Sequence, residues 1–203
     1  MRARASALFL LALVLGGCVV GNDEKKIDHS ALSTLVLAPA DLSDVWVPFN
    51  SGRQVSADAP AGTRSNPQRF GRLDGWIARF RRPGSQQTTG PLVIESRADL
   101  FESAGGARDE LSRARSELGT AIGARAAAKP LADPAIGDEA FAATILQKSG
   151  GGGIADVRFY LISWRHDNVV ASIFVNGFER KLTFPQALDL AGAQERRIAR
   201  AAQ

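Results

Sequence analysis

The sequence predicts an α+β fold, an antiparallel sheet of about five strands flanked by two amphipathic helices in the order β-β-α-β-β-β-α. Two observations carry that prediction. Short stretches alternate apolar and polar residues and are joined by hairpin-length links, which makes antiparallel neighbours. Two longer stretches repeat apolar residues at three- and four-residue steps, and a sheet with an apolar face needs such helices to cover it.

The elements follow in order. "ALSTLVLAPADL" (31–42) offers Leu32, Leu35, Val36 and Leu37 as a short strand or a helical turn, with Pro39 opening a further turn of helix. Residues 48–68 are rich in Pro, Gly, Ser and Asn and read as one long loop, of a length that is usually functional or mobile. "RLDGWIARFRR" (72–82) sets Trp76, Ala78 and Phe80 against Ile77, Arg79 and Arg81, a strand with one apolar face. "PLVIES" (91–96) is its hairpin partner. The spacing of Leu100, Ala104, Ala107, Leu111, Ala114 and Leu118 predicts a helix. Ser96 would be its N-cap, Asp99 sits three residues on, and Gly119 lies past its end. The Gly105-Gly106 pair inside it suggests close packing on the sheet. "DEAFAATILQ" (138–147), "ADVRFYLISWR" (155–165) and "VVASIFVNG" (169–177) are three further strands, the last two joined by a tight "HDN" turn. "SGGGG" (149–153) is a flexible connection. Thr183 and Gln186 have capping-box spacing with Pro185 in the first turn, and Leu188, Ala191, Ile198 and Ala202 stripe the closing helix.

Composition excludes several function classes. The 203 residues suit one domain with appendages. The net charge of +4 includes Arg2 and Arg4, and without the first 17 residues 23 basic face 21 acidic side chains, too little asymmetry to argue for nucleic acid. One cysteine and two histidines preclude an intrachain disulfide and a thiolate- or histidine-rich metal site. There is no P-loop, GxGxxG after a strand, GxSxG elbow or HExxH, so no catalytic residue, metal or cofactor is assigned. Asp138-Glu139 is an adjacent carboxylate pair, but neighbouring strand residues point to opposite faces and do not share a site. Ser163, His166 and Asp167 contain the residue types of a hydrolytic triad, with nothing to organise them and a turn role as the simpler reading.

The candidate contacts are basic and aromatic. Arg69, Arg72, Arg79, Arg81 and Arg82 cluster around the first clear strand, where they could meet anionic head groups or envelope polymers or simply solvate and blunt a sheet edge. Trp46, Trp76 and Trp164 could line an apolar pocket or belong to the core. Arg69, Arg72, Arg79, Arg81, Trp76 and Trp164 are the candidate ligand or anionic-surface contacts.

The N-terminus carries a different signal. In "MRARASALFLLALVLGGC", Arg2 and Arg4 precede an apolar run from Ala5 to Leu15, too short to span a bilayer, and small residues follow. The "LGGC" end resembles the lipobox of bacterial lipoproteins, with Gly16 a small departure from the usual Ala or Ser. That resemblance implies cleavage between Gly17 and Cys18 and acylation of the Cys18 thiol; a plain signal peptide with an incidental cysteine is the alternative. The expected organisation is a signal peptide (1–17), lipidated Cys18 and tether (18–30), and one α+β domain (31–203). Two or three acyl chains would hold such a chain firmly on the cell membrane. Val19 after the cysteine resembles the pattern sorted to the outer membrane in Gram-negative bacteria.

"ALSTLVLAPADL", "GDEAFA" and "YLISWRHDNVVASIFVNG" followed by a closing helix resemble a loose group of bacterial extracytoplasmic lipoproteins, similar in layout to the extracellular sensor domains of some bacterial transmembrane Ser/Thr kinases. The resemblance covers residues 31–200. It implies a sheet flanked by helices and a ligand-sensing or envelope-binding role without catalysis. The chain departs from those domains in having no disulfide-forming cysteines and no kinase. The expectation is therefore a non-enzymatic, membrane-anchored extracytoplasmic protein that binds a ligand or an envelope component. The alternatives are a module docking a partner protein and, third, an envelope hydrolase.

Overall fold

A computed structural model describes residues 26–54, 69–118, 128–150 and 155–203. Cys18, the cleavage position and most of the tether lie outside them. Seven strands form one antiparallel sheet: β1 (Val47–Arg53), β2 (Arg72–Arg81), β3 (Val93–Phe101), β4 (Lys129–Pro130), β5 (Glu139–Gln147), β6 (Val157–His166) and β7 (Val169–Phe178). Their spatial order is β1-β2-β3-β7-β6-β5-β4. Helices α1 (Ala104–Glu117) and α2 (Phe184–Ala201) complete the α+β fold.

The five expected strands are present, and two more extend the sheet at its ends. β1 is cut from the start of the stretch read as a loop. Its side chains are almost all exposed and it carries Pro48 and a register shift between Pro48 and Asn50, so it lacks the apolar alternation that marks a strand. β4 is two residues long and equally exposed. "ALSTLVLAPADL" resolves as helical turns, His29–Thr34 and Pro39–Asp41 in 3-10 geometry.

The start of α1 is a correction. β3 continues through Phe101, and the helix begins at Ala104 with Ser103 as N-cap, its hydroxyl accepting from the Gly106 amide. Ser96 is a strand residue, because Ile94, Ser96, Ala98 and Leu100 alternate toward one face and read as period two as readily as three or four. Gly105 and Gly106 fall in the first helical turn, where they cost little. A side chain at Gly106 would collide with the Phe70 carbonyl, so its tightest approach is to the turn before β2, with the Phe101 ring of β3 in ordinary contact.

The sheet has two unlike faces. On one, Ala78, Phe80, Ile94, Ala98, Leu100, Ile162, Trp164, Ala171, Ile173 and Val175 pack with Ala187, Ala191 and Ile198 of α2 and with Leu32 and Leu35–Leu37 of the N-terminal turns. α2 has the predicted capping box, Thr183 with Gln186. On the other face, Phe101, Phe141 and Val170 form a smaller cluster with Ala107 and Leu111 of α1. The predicted "HDN" turn joins β6 to β7 with Asp167 at φ 48°, an Asp in the left-handed turn position that suits a two-residue hairpin. Asn168 beside it is buried. Its side chain accepts from the Ile27 amide (2.9 Å) and donates to the Phe101 carbonyl (2.9 Å) and the Ile27 carbonyl (3.4 Å), clasping the entering chain to the sheet.

A cationic cleft beside helix α2

The chain preceding β1, the β2–β3 connection and the exposed side of α2 enclose an open cleft of about 410 Å³. Its lining comes from three elements held in place locally. The capping box sets Gln186 at the mouth, with its Oε1 accepting from the Thr183 amide (2.9 Å). Gly90, at φ 82°, donates to the Lys181 carbonyl (2.7 Å), and Leu92 donates to the Asn176 carbonyl (2.7 Å); together they pin the β2–β3 connection against the lead into α2 and the end of β7. Asp41 is committed already: it accepts from the Ala38 amide (2.7 Å) and pairs with Arg197 of α2 (3.0 Å).

Arg82 is the centre of the cleft. Its Nε donates to the Pro91 carbonyl (2.6 Å) and its Nη2 to the Thr89 carbonyl. Its guanidinium lies 5.2 Å from the centroid of the Trp46 ring, within cation–π range. Among the described residues no carboxylate forms an ion pair with it, and partial burial lowers its pKa, the mark of a cation short of solvent and of counter-charge. Arg196 lines the same cleft and is likewise without an ion-pair partner among the described residues. Leu190, Ala193, Pro91 and Trp46 supply apolar wall, and Asp189 adds one exposed carboxylate.

A larger cleft, about 510 Å³, lies between α1 and residues 133–140. There the cation is spent: Arg115 pairs with Asp133 (3.0 Å), donates to the Ala140 carbonyl (2.6 Å) and lies over Phe141.

The structure scatters the candidate contact residues. Arg69 is buried against Glu110 (2.8 Å) and Arg72 against Asp99. Both are interior, so neither offers a face to a head group. Trp164 is fully buried in the α2-side core, with its Nε1 donating to Glu195 (2.6 Å). Arg79 pairs with Glu95 (2.8 Å), and Trp76 is half-buried with its Nε1 on Ser51 (3.2 Å). Arg81 alone of the candidate arginines is exposed without an ion pair among the described residues, 5.6 Å from the Phe49 ring centroid. The structure does not gather these six. The sequence shows Arg82 and Trp46 but no pattern that joins them, because what brings them together is a loop closed from three directions; Arg196 carries no signal there.

The hydrolase constellation does not form. Ser163 and His166 are three residues apart on β6 and point to opposite faces. His166 instead bonds Glu195 of α2 through Nδ1 (2.6 Å). That bond, ahead of the opposing effect of burial and together with the charges of Glu195, Asp167 and Asp138, raises its pKa above 6.5. Asp138 and Glu139 are tied separately, to Arg165 (2.8 Å) and Arg108 (3.2 Å). His29 and Arg53 both bind the buried carboxylate of Asp74. Burial pushes that carboxyl up, but hydrogen bonds from Arg53, the Gly75 amide and His29 and the charge of Arg53 outweigh it, leaving the pKa below 3.8.

Fold and cleft define a class: an antiparallel α+β domain with a cationic, aromatic-edged cleft at one end of its helix-covered face. No protein-family model and no curated relative matches the sequence. Among solved structures the chain is similar to the extracellular domain of PknH from Mycobacterium tuberculosis, with 13% identity, a TM-score of 0.64, and coverage of 87% of this chain and 99% of that one. The likeness is one of fold. Among the described residues no helix is long and apolar enough to cross a membrane.

Proposed function

We propose that this chain is a lipid-anchored, extracytoplasmic protein that binds or senses a ligand or envelope component and catalyses no reaction. The observation that carries the binding reading is the cleft: Arg82, stacked on Trp46, faces it without a carboxylate partner among the described residues. A partly desolvated cation in a concave site is a recognition element. The fold shared with an extracellular domain and the sensor-domain resemblance of the sequence support the same reading. The "LGGC" motif supports anchoring through Cys18. Every core residue described lies at or after Ile27, so residues 18–203 with Cys18→Ser contain the whole domain. Purified from a bacterial host, that chain should show a reproducible excess mass by native mass spectrometry that vanishes on denaturation. A bare mass across several hosts would count against ligand binding. Anchoring is tested by metabolic acyl labelling, which Cys18→Ala should abolish.

A second reading, docking of a partner protein, has its own observation. β1 ends the sheet, and Val45, Val47 and Phe49 on and beside it are roughly half exposed. Crosslinking from position 47 in the native membrane would capture a single partner if that edge is used, and nothing reproducible if it is not.

A further inference from the structure

We infer that the cleft beside α2 takes a small molecule with one oxyanion, a carboxylate or phosphate, joined to an aromatic or apolar body. This inference rests on the ligand-binding reading above and adds the chemistry of the ligand.

The charge count points to an anion. Arg82 and Arg196 bring two positive charges to the lining, Asp189 one negative, and Asp41 is neutralised by Arg197. One positive charge remains. The donor geometry agrees. Arg82 uses Nε and one hydrogen of Nη2 on the Pro91 and Thr89 carbonyls. A guanidinium has five N–H donors, so its Nη1 edge is still available, and it is fixed in direction by those two bonds. The surroundings argue against a bare anion. Trp46, Leu190, Ala193 and Pro91 line the walls, and inorganic phosphate would leave that surface in water. The volume, about 410 Å³, admits a molecule of one ring and a substituent.

The test uses residues 18–203 with Cys18→Ser, isotope-labelled to follow the Arg82 and Arg196 Nε–H resonances and the Trp46 indole N–H. Phenyl phosphate and benzoate are titrated beside inorganic phosphate and benzyl alcohol. Saturable shifts at Arg82 and Trp46 with an aromatic anion, at least ~10-fold tighter than with either fragment, support the inference. Inorganic phosphate binding as tightly as phenyl phosphate would overturn it, as would equal binding of benzyl alcohol. Dihexanoyl phosphatidic acid, below its micelle concentration, separates a lipid from an aromatic source. The tighter binder names the source, and no binding by any of the anions overturns the inference.

Arg82→Gln should weaken phenyl phosphate roughly 10-fold or more, but it also frees two loop carbonyls. Arg196→Gln touches no partner and should weaken binding several-fold with an unchanged melting temperature; unaltered affinity in that variant would count against a role for α2. An excess native mass that survives Arg82→Gln and Arg196→Gln together would keep the protein a ligand binder and refute this cleft as the place.

Discussion

On the α2 face of the sheet, branched and aromatic side chains from five strands meet alanines and isoleucine of the helix with scarcely a charge among them. On the α1 face, a handful of apolar residues is bordered by guanidinium–carboxylate pairs that are as buried as the core itself, Arg72–Asp99 at 2% and 0% exposure and Arg69–Glu110 at 6% and 3%. Arg72 buries Nε and Nη1 with no hydrogen-bond partner among the described residues. The first face is held by area removed from water. The second contains charges whose desolvation offsets much of what their attraction returns, so it is sensitive to losing one partner and tolerant of losing both.

Mutations on each face would break or sharpen that contrast. Trp164→Ala on the dry face should cost about 3–5 kcal/mol in urea unfolding, the range for large-to-small changes at fully buried aromatics. Asp99→Ala on the salted face should cost about as much, ~3–5 kcal/mol, by stranding Arg72. The decisive variant is the double change Arg72→Met with Asp99→Leu. It should recover most of that loss, and a double variant as unstable as the single one would erase the distinction between the faces. Within the dry face a buried polar knot centres on Ser96, which donates to Gln194 (2.8 Å) and accepts from the Leu37 amide (2.9 Å), while Gln194 donates to the Arg97 carbonyl (2.8 Å). Gln194→Leu should cost about 1–3 kcal/mol, since it takes away the acceptor of the buried Ser96 hydroxyl.

The pH dependence separates the faces again. His166 ties β6 to α2 through Glu195, and its folded pKa is raised above 6.5. The bond's contribution is therefore fully present below the unfolded pKa and fades as pH rises through the folded one. The melting temperature should fall as pH climbs from about 6 upward, and His166→Phe should flatten that slope. A slope that persists in the variant would place the titrating group elsewhere. The smallest effect belongs to the surface: Arg108→Ala, which removes a half-exposed pair with Glu139, should change stability by about 0–1 kcal/mol.

What the sequence let through was its periodicity. β2 and α2 announce themselves through one apolar side, and β5, β6 and β7 through dense runs of apolar residues, with Phe141 and Val170 facing α1 while Ala140, Ala142, Ala171 and Ile173 face α2. β1 is a strand by virtue of its hydrogen bonds to β2, with solvent on nearly all its side chains, so no pattern precedes it. Residues 96–101 satisfy helix and strand spacing at once, and pairing with β2 and β7 decides between them. The arginines were visible as a cluster, but not which of them would be buried; that depends on Asp99 and Glu110, 27 and 41 residues away in the chain. The cleft was less visible still, since Trp46, Arg82 and Arg196 meet only once the sheet is closed.

The clasp at Asn168 also has a mechanical side. Among the described residues, tension entering along the N-terminal segment reaches the Ile27 amide first, and Ile27 hangs on the side chain of the β6–β7 turn. Farther in, Arg197 of α2 donates to the Thr34 carbonyl (2.8 Å) and holds Asp41, so the helix shares the load. The arrangement works as a strain relief does on a cable. A tug is taken up by a few replaceable bonds between the entering segment, one turn and one helix, and the backbone ladder of the sheet feels it last.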